Sequence, residues 1–216
     1  LIKEFKIGLS LDKNSLTNIL TKKDYSTIEL EQYGLGNGYN DLYVNRIMFP
    51  LFDTNNKPVG FSGRIYNTQD TSKYINTKET PIFKKGELLY NYYRAKAYVR
   101  EKKNVIITEG FMDVIRLYSV GIKNAIALMG TALTKQQINL LKRLSHDIYI
   151  CLDGDSAGKK ATLKVGEELT EAGCNIKVIS LTENKDPDEY ILKYGKEGFD
   201  ALYENAVPYS EYKLYH

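Results

Sequence analysis

The fold is decided by the stretch Ile148-Tyr149-Ile150-Cys151-Leu152-Asp153-Gly154-Asp155. Its first five residues are apolar and rich in β-branched and aromatic types, which is typical of a buried strand. Open α/β sheets bind their ligands at the carboxyl ends of their strands. The two aspartates therefore lie where such a sheet carries its functional site.

A third carboxylate follows a second apolar run. Val105-Ile106-Ile107-Thr108 ends in Glu109-Gly110, so Glu109 has the same position relative to its own strand. If the two strands are neighbours, three acids converge in a small volume. Clustered carboxylates repel one another unless a cation lies between them, and oxygen ligands suit Mg²⁺ or Mn²⁺. The residues alone thus indicate a site for hard divalent metal ions.

The second half of the chain alternates between strand and helix patterns. We predict strands over 105–108, 124–128, 147–152 and 175–181, helices over 111–119, 134–144 and 157–172, and shorter helices from Pro187 onward. Buried strands separated by helices of this length indicate an α/β fold, with a mainly parallel sheet that carries helices on both faces.

The first hundred residues have a mixed α+β pattern. We predict helices over 13–22, 26–33 and 90–102, paired strands over 43–52 and 59–66, a turn over 53–58 and mostly loop over 67–86. The domain organisation we expect is a basic α+β subdomain at 1–102, the metal-binding α/β subdomain at 103–190 and a short helical tail at 191–216.

The net charge of +3 is unevenly distributed. Between Lys57 and Lys103 there are eleven basic residues against four acidic ones, so the remainder of the chain is net acidic. Arg64, Lys73 and Lys85 are interleaved with aromatic residues, a pattern that can follow a phosphate backbone while rings stack on bases. A lysine-rich solvated surface explains the same counts equally well.

Several classes of protein are disfavoured. No run approaches the ~20 apolar residues of a membrane span, and the first residues lack the apolar core of a secretory signal. Cys151 and Cys174 form no CxxC pair, which favours core positions in a reducing compartment over a zinc site. His146 and His216 have no partner for nucleophilic catalysis. The chain starts without Met, so we expect an excised fragment.

The acidic motifs also have simpler explanations. A calcium loop from Asp153 would require an acid or Asn where Ala157 stands and Glu where Lys164 stands, so it is excluded. A Walker A loop needs four residues between its glycines, and here there are three. Helix capping remains, and it explains one aspartate of the pair better than two.

Local patterns also explain the outer acids. Asp113 would interact favourably with a helix dipole. Asp186-Pro187-Asp188-Glu189 has the cap, the proline and the acidic first turn of an ordinary helix start. On local patterns alone, a helix start is the better interpretation of this second motif.

Together the motifs resemble the RNA-polymerase core of bacterial DnaG-type primases, including its TOPRIM fold. The matching segments follow the family's order across nearly the whole chain: Asn45-Arg46-Ile47-Met48-Phe49-Pro50, Gly60-Phe61-Ser62-Gly63-Arg64, the lysine-bearing segment 73–86, Glu109-Gly110-Phe111-Met112-Asp113, Gly130-Thr131-Ala132, Asp153-Gly154-Asp155-Ser156-Ala157-Gly158 and Asp186-Pro187-Asp188. The lysine segment separates a polymerase from other TOPRIM proteins.

The resemblance implies roles for named residues. Glu109, Asp153 and Asp155 would be the central catalytic and metal-binding acids, binding two or more Mg²⁺ or Mn²⁺ ions. The outer metal positions would be Asp113, Asp186 and Asp188. Nucleic acid and nucleotides would be bound by residues of the basic half, namely Arg46, Arg64, Lys73, Asn76 and Lys85.

The implied activity is the synthesis of short RNA primers from ribonucleoside triphosphates on single-stranded DNA during DNA replication. We expect a monomer at the bacterial replisome and nucleoid in the cytoplasm, with no membrane partner. The family's zinc-ribbon and helicase-binding modules are not found in this sequence, so contact with the replicative helicase would need a C-terminal module.

Three alternatives remain. A TOPRIM nuclease acting on RNA or DNA would use the same metals to activate water. A topoisomerase would need a nucleophilic Tyr on a separate domain, which this length hardly accommodates. A non-catalytic module that binds nucleic acid would keep the metals for stability alone.

Overall fold

The computed structural model describes residues 1–66, 72–130 and 132–215. Its contacts divide the chain into two compact units, Leu1–Lys85 and Gly86–His216. This division lies earlier than the expected one after residue 102. The physical reason is that Tyr92, Ala95 and Val99 are buried in the core of the second unit.

The first unit is a mixed α+β structure. Its described elements are α1 (Ile2–Phe5), β1 (Gly8–Leu9), α2 (Ser15–Thr21), α3 (Thr27–Gln32), β2 (Gly36–Asn37), β3 (Asn40–Asp41), β4 (Arg46–Phe52), β5 (Pro58–Ile65) and β6 (Tyr74–Asn76). An antiparallel sheet has the order β1-β4-β5-β6, and β2 pairs with β3. A short 3-10 helix, Lys85–Glu87, spans the boundary between the units.

The predicted strand pair of this unit is confirmed. β4 and β5 pair in antiparallel register from Arg46 opposite Ile65. The turn between them is held by Asp53, whose carboxylate accepts the backbone N–H groups of Asn55 and Lys57. Sequence patterns missed β1, β2, β3 and β6, because two or three residues are too few to show a period. Residues 67–71 of the expected loop lie outside the described residues.

The second unit contains the expected α/β alternation. Its described elements are α4 (Tyr92–Lys102), β7 (Val105–Thr108), α5 (Phe111–Ser119), β8 (Ala125–Ala127), α6 (Lys135–Leu144), β9 (Asp147–Ile150), α7 (Ser156–Glu171), β10 (Asn175–Val178), α8 (Pro187–Glu204), β11 (Val207–Pro208) and α9 (Tyr209–Tyr215). The strand order is β11-β10-β9-β7-β8, and the pairs among β7, β8, β9 and β10 are parallel.

The core explains why these segments form strands. Every residue of β7 and β8 is buried, as expected for parallel strands that are covered on both faces. Cys151 and Cys174 are buried free thiols, as the sequence indicated. Within the described residues, no helix combines the length and apolar character needed to cross a membrane.

The C-terminal segment differs from a simple helical tail. β11 pairs antiparallel with β10 at the sheet edge, and Tyr209 and Tyr212 of α9 belong to the buried core. α8 is interrupted at Gly195, where φ is +69°, a conformation that glycine adopts without steric cost. The segment is therefore an integral part of the second unit.

Gly166 tests the packing of α9 on α7. A Cβ atom at Gly166 would lie 2.2 Å from the ring of Tyr209, whose hydroxyl donates to the carbonyl of Leu163. We expect Gly166→Ala to lower the free energy of unfolding by about 1–2 kcal/mol, because overpacking outweighs the gain in helix propensity. Urea unfolding followed by circular dichroism measures the change. Gly8→Ala is the control, since nothing lies within 4 Å of the position that a Cβ atom would take there; equal losses for both would contradict the packing.

Candidate active site

The pairing of β7 with β9 creates the site. The two strands are parallel neighbours, with Ile107 opposite Ile150, and the N–H of Cys151 donates to the carbonyl of Ile107. Their carboxyl ends therefore lie side by side. Glu109 follows one strand and Asp153 follows the other, which confirms the condition on which the predicted cluster depended.

The carboxylates lie close enough to perturb one another. The pKa of Asp153 is raised to about 6, mainly by burial and then by the negative charges of Glu109, Asp186 and Asp155. Burial also raises the pKa of Glu109, with a further contribution from Asp155. Glu109, Asp153, Asp155 and Asp186 thus form one electrostatically coupled set, which we call the acidic cluster.

Asp155 belongs to the acidic cluster and also stabilises the start of a helix. It is the N-cap of α7, and its Oδ1 accepts the N–H of Gly158 at 2.7 Å. A Cβ atom at residue 158 would lie 2.0 Å from the carbonyl oxygen of Asp153, so only glycine permits this turn. The capping alternative therefore describes Asp155 well, and it leaves the half-buried Asp153 unexplained.

Asp113 connects two helices. Its buried side chain accepts the N–H of Gly110 at 3.1 Å through Oδ2 and the N–H of Asp188 at 3.3 Å through Oδ1. Burial and the neighbouring Asp186 raise the pKa of Asp113 to about 8, although these two hydrogen bonds oppose the rise. Its contacts hold the start of α8 against the start of α5.

The two acids of the last motif have different surroundings. Asp186 is the N-cap of α8 and accepts the N–H of Glu189 at 2.7 Å, as expected for a helix start. It also raises the pKa of Asp153, so it belongs to the acidic cluster as well. Asp188 forms an ion pair with Arg116, whose Nε lies 2.5 Å from its Oδ1.

Sequence patterns missed two charged residues of this region. Arg116 is one helical turn after Asp113, a spacing that places both on one face of α5, but its partner Asp188 is 72 residues further along the chain. Glu189 contributes to the raised pKa of Asp153, whereas local patterns assign it only to the helix start. Thr131, from the Gly130-Thr131-Ala132 motif, lies outside the described residues.

The donor chemistry of the acidic cluster fits a hard divalent cation, because it offers carboxylate oxygens that repel one another. In residues 1–66, 72–130 and 132–215, however, no three Asp, Glu, His or Cys side chains are already arranged to hold a metal ion. Binding would require the carboxylates to turn toward a common centre. The metal site therefore remains a prediction.

The first unit contains a cluster of basic and aromatic side chains. The guanidinium carbon of Arg64 and the ammonium of Lys73 each lie 5.9 Å from the ring centre of Tyr74. Arg64 pairs with Tyr74 across β5 and β6. We call Arg64, Lys73 and Tyr74 the basic platform. It has the combination of charge and ring surface that single-stranded nucleic acid favours.

The other predicted contacts of the basic half are distributed differently. Asn76 at the end of β6 and Lys85 in the 3-10 helix are exposed. Arg46 is buried, with 1% exposure, and its guanidinium donates to the carbonyls of Gly63 and Ser72. Its contacts are those of a structural residue of the sheet, and we leave it out of the proposed nucleic-acid contacts.

Comparison with known proteins identifies the family to which the chain belongs. Residues 1–96 match the family described as DNA primase catalytic core, N-terminal domain, and residues 106–191 match the Toprim-like family. A Staphylococcus aureus DNA primase is 41% identical over 222 residues, covering 99% of this chain and 37% of the relative.

Solved structures agree with these matches. A structure described as the DnaG primase catalytic domain bound to ssDNA superimposes with a TM-score of 0.89 at 33% identity, covering 99% of this chain and 69% of that one. The E. coli primase catalytic core gives a TM-score of 0.88 at 33% identity, covering 99% and 71%.

The fold is that of a TOPRIM protein, and the chain belongs to the DnaG primase catalytic-core family. Toprim primases generally depend on divalent metal ions. The chain spans 37% of the length of the curated S. aureus relative.

The raised pKa of Asp153, caused by burial and then by repulsion, has a measurable consequence. Asp153 has a pKa of about 6 in the folded protein against 3.8 as its usual value, so ionising it destabilises the fold progressively above pH 4 and fully above pH 6. The full shift is equivalent to about 3 kcal/mol, and solvent screening at this half-exposed side chain reduces our expectation to about 1 kcal/mol. Asp153→Asn should stabilise the metal-free protein by that amount at pH 8.

Urea unfolding in EDTA at several pH values measures this effect. The stabilisation by Asp153→Asn should shrink as the pH falls below about 6 and disappear well below pH 3.8, where Asp153 is protonated in both the folded and the unfolded state. Asp147→Asn at the start of β9 is a matched control, since Asp147 is exposed and Asp153 follows the other end of this strand. A pH-independent gain would contradict the raised pKa of Asp153.

Proposed function

We propose that this chain is the catalytic part of a DNA primase that makes short RNA primers on single-stranded DNA from ribonucleoside triphosphates. The observation that carries the proposal is the convergence of Glu109 and Asp153 at the ends of β7 and β9, in a chain of the primase family. The reaction is a metal-dependent nucleotidyl transfer, in which the 3′-hydroxyl of one nucleotide attacks the α-phosphate of the next and pyrophosphate leaves.

The acidic cluster would supply the metal ligands. Glu109, Asp153 and Asp155 are the inner set, and Asp186 adds a fourth negative charge. Two or more Mg²⁺ or Mn²⁺ ions, when bound, would neutralise the triphosphate and make the attacking hydroxyl more acidic. Asp113 would act indirectly, because its hydrogen bonds fix the starts of α5 and α8 on which cluster residues depend. No separate protein base is required.

The basic platform would bind the nucleic acid. Arg64 and Lys73 can contact phosphates while Tyr74 stacks on a base, a mode with little sequence readout. A member of the family has been solved with single-stranded DNA bound, which supports assigning such a ligand to this chain. The exposed Asn76 and Lys85 would add contacts to template or nucleotide. Such a protein would work in the bacterial cytoplasm and reach the helicase through a different part of the primase.

The nuclease alternative uses the same cluster to activate water. Nothing in the acidic cluster distinguishes the two chemistries, since both need carboxylates around metal ions. The match of residues 1–96 to a primase-specific family favours the polymerase.

Primer synthesis provides the direct test. We expect ribonucleotide incorporation on single-stranded DNA with Mg²⁺ or Mn²⁺ to fall at least about 100-fold in Asp153→Asn, because electrostatic stabilisation of the transition state is lost. Lys73→Ala should reduce it about tenfold through weaker phosphate binding. The reaction is followed by gel electrophoresis of labelled RNA in a primase-competent protein.

Lys23→Ala is the control for Lys73→Ala, because Lys23 is an exposed lysine outside the basic platform. Full activity in both Asp153→Asn and Lys73→Ala would refute the site assignment. Metal-dependent cleavage of labelled RNA or DNA in the absence of nucleotides would instead support the nuclease.

Salt dependence separates the roles of the two regions. Each phosphate contact contributes about one unit to the slope of log affinity against log salt concentration. Lys73→Ala should therefore flatten the slope for single-stranded DNA by about one unit. Asp153→Asn removes no phosphate contact, so it should leave the slope unchanged, although it reduces electrostatic repulsion of the DNA by one charge. Fluorescence anisotropy of labelled oligonucleotides measures the slope. An unchanged slope in Lys73→Ala would remove the platform from the interface.

A further inference from the structure

Arg116 places a permanent positive charge beside the acidic cluster. It belongs to α5, one turn after Asp113, and its Nε lies 2.5 Å from Oδ1 of Asp188. Both side chains are partly covered, with 32% and 24% of their surfaces exposed. A hydrogen bond between two charged groups at this distance is among the stronger polar contacts of proteins.

The same contact fixes the direction of Asp188. The backbone N–H of Asp188 donates to Asp113, so both the main chain and the side chain of this residue are held by α5. Asp186, two residues earlier, instead acts on Asp153 and belongs to the acidic cluster. The two acids of one motif therefore have different electrostatic partners.

An oxygen that accepts from a guanidinium has that lone pair engaged, and a metal ion approaching it would be repelled by the arginine charge. We propose that Arg116 is a positioning residue that keeps Asp188 from binding a metal ion. It thereby limits how many divalent ions the acidic cluster of this chain binds. This inference rests on the proposed metal centre and refines it, because Asp188 is then an internal counter-ion partner and not a ligand.

A purely structural ion pair would behave differently. If Arg116 only joined α5 to α8, its removal would lower the melting temperature and leave metal affinity unchanged. If Arg116 keeps Asp188 from binding metal, removing Arg116 makes the site more negative by one charge and frees one carboxylate. Metal affinity then rises, while the metal-free protein becomes less stable. The two roles therefore differ in the sign of the metal effect.

Mn²⁺ binding to the 216-residue chain, followed by electron paramagnetic resonance, is the test. Arg116→Met should tighten Mn²⁺ binding about tenfold or add a bound ion, as expected for losing a nearby unit charge. Asp188→Asn alone should weaken Mn²⁺ binding by up to about tenfold, because it leaves the charge of Arg116 without its counter-charge. The double variant should return to the affinity of the unmodified protein.

Two further variants complete the design. Arg100→Met, at the exposed end of α4, removes an equal charge and should not tighten binding. Arg116→Gln keeps a donor toward Asp188 without the charge, so it tests the electrostatic contribution if Arg116→Met fails to fold.

Each outcome is decisive. If the unmodified chain binds Mn²⁺ and both Arg116 variants bind it equally, this inference is overturned and the metal centre stands. A double variant that binds Mn²⁺ clearly more weakly than the unmodified chain would make Asp188 a ligand and also overturn it. If the unmodified chain does not bind Mn²⁺, or if Asp153→Asn binds it equally well, the proposed metal centre fails and this inference fails with it.

Discussion

The parallel pairing of β7 with β9 is the constraint on which the site depends. β7 is buried throughout, and β9 is buried at Ile148 and Ile150, because both strands lie inside the sheet; their register fixes where each one ends. Glu109 and Asp153 consequently emerge next to each other whether or not their charges favour it. The apolar core holds these carboxylates together, and burial followed by their mutual repulsion raises the pKa of Asp153 to about 6. The stability of the sheet thus offsets the unfavourable electrostatic interaction of these carboxylates, and the resulting arrangement suits cation binding.

Helix starts orient several acids in and beside the acidic cluster. Asp155 caps α7, Asp186 caps α8, and Asp113 accepts the N–H of Gly110 immediately before α5. A cap fixes the side chain against the backbone, and the positive end of a helix partly compensates a carboxylate. Capping and metal binding are therefore compatible uses of one residue. The local explanation of each acid does not compete with its functional one.

The charges near the cluster are not all negative. Arg116 engages Asp188, so the start of α8 presents one acid toward Asp153 and ties the other to α5. The first unit has its own arrangement, in which Arg64 and Lys73 share the ring of Tyr74 while the buried Arg46 supports the sheet. In both units, identical residue types have different roles because their surroundings differ.

Sequence patterns were sufficient to predict the alternation of strands and helices, the parallel sheet and the strand-end positions of Glu109, Asp153 and Asp155. These features follow from local periodicity, which a single sequence records directly. It could not supply β11 or β6, since strands of two or three residues form only where a neighbouring strand is available. Tertiary structure alone decided that Arg46 is buried, that Glu189 acts on Asp153 and that Arg116 pairs with Asp188. Those outcomes depend on contacts between residues far apart in the chain, and charge pairing across such distances leaves no local pattern to read.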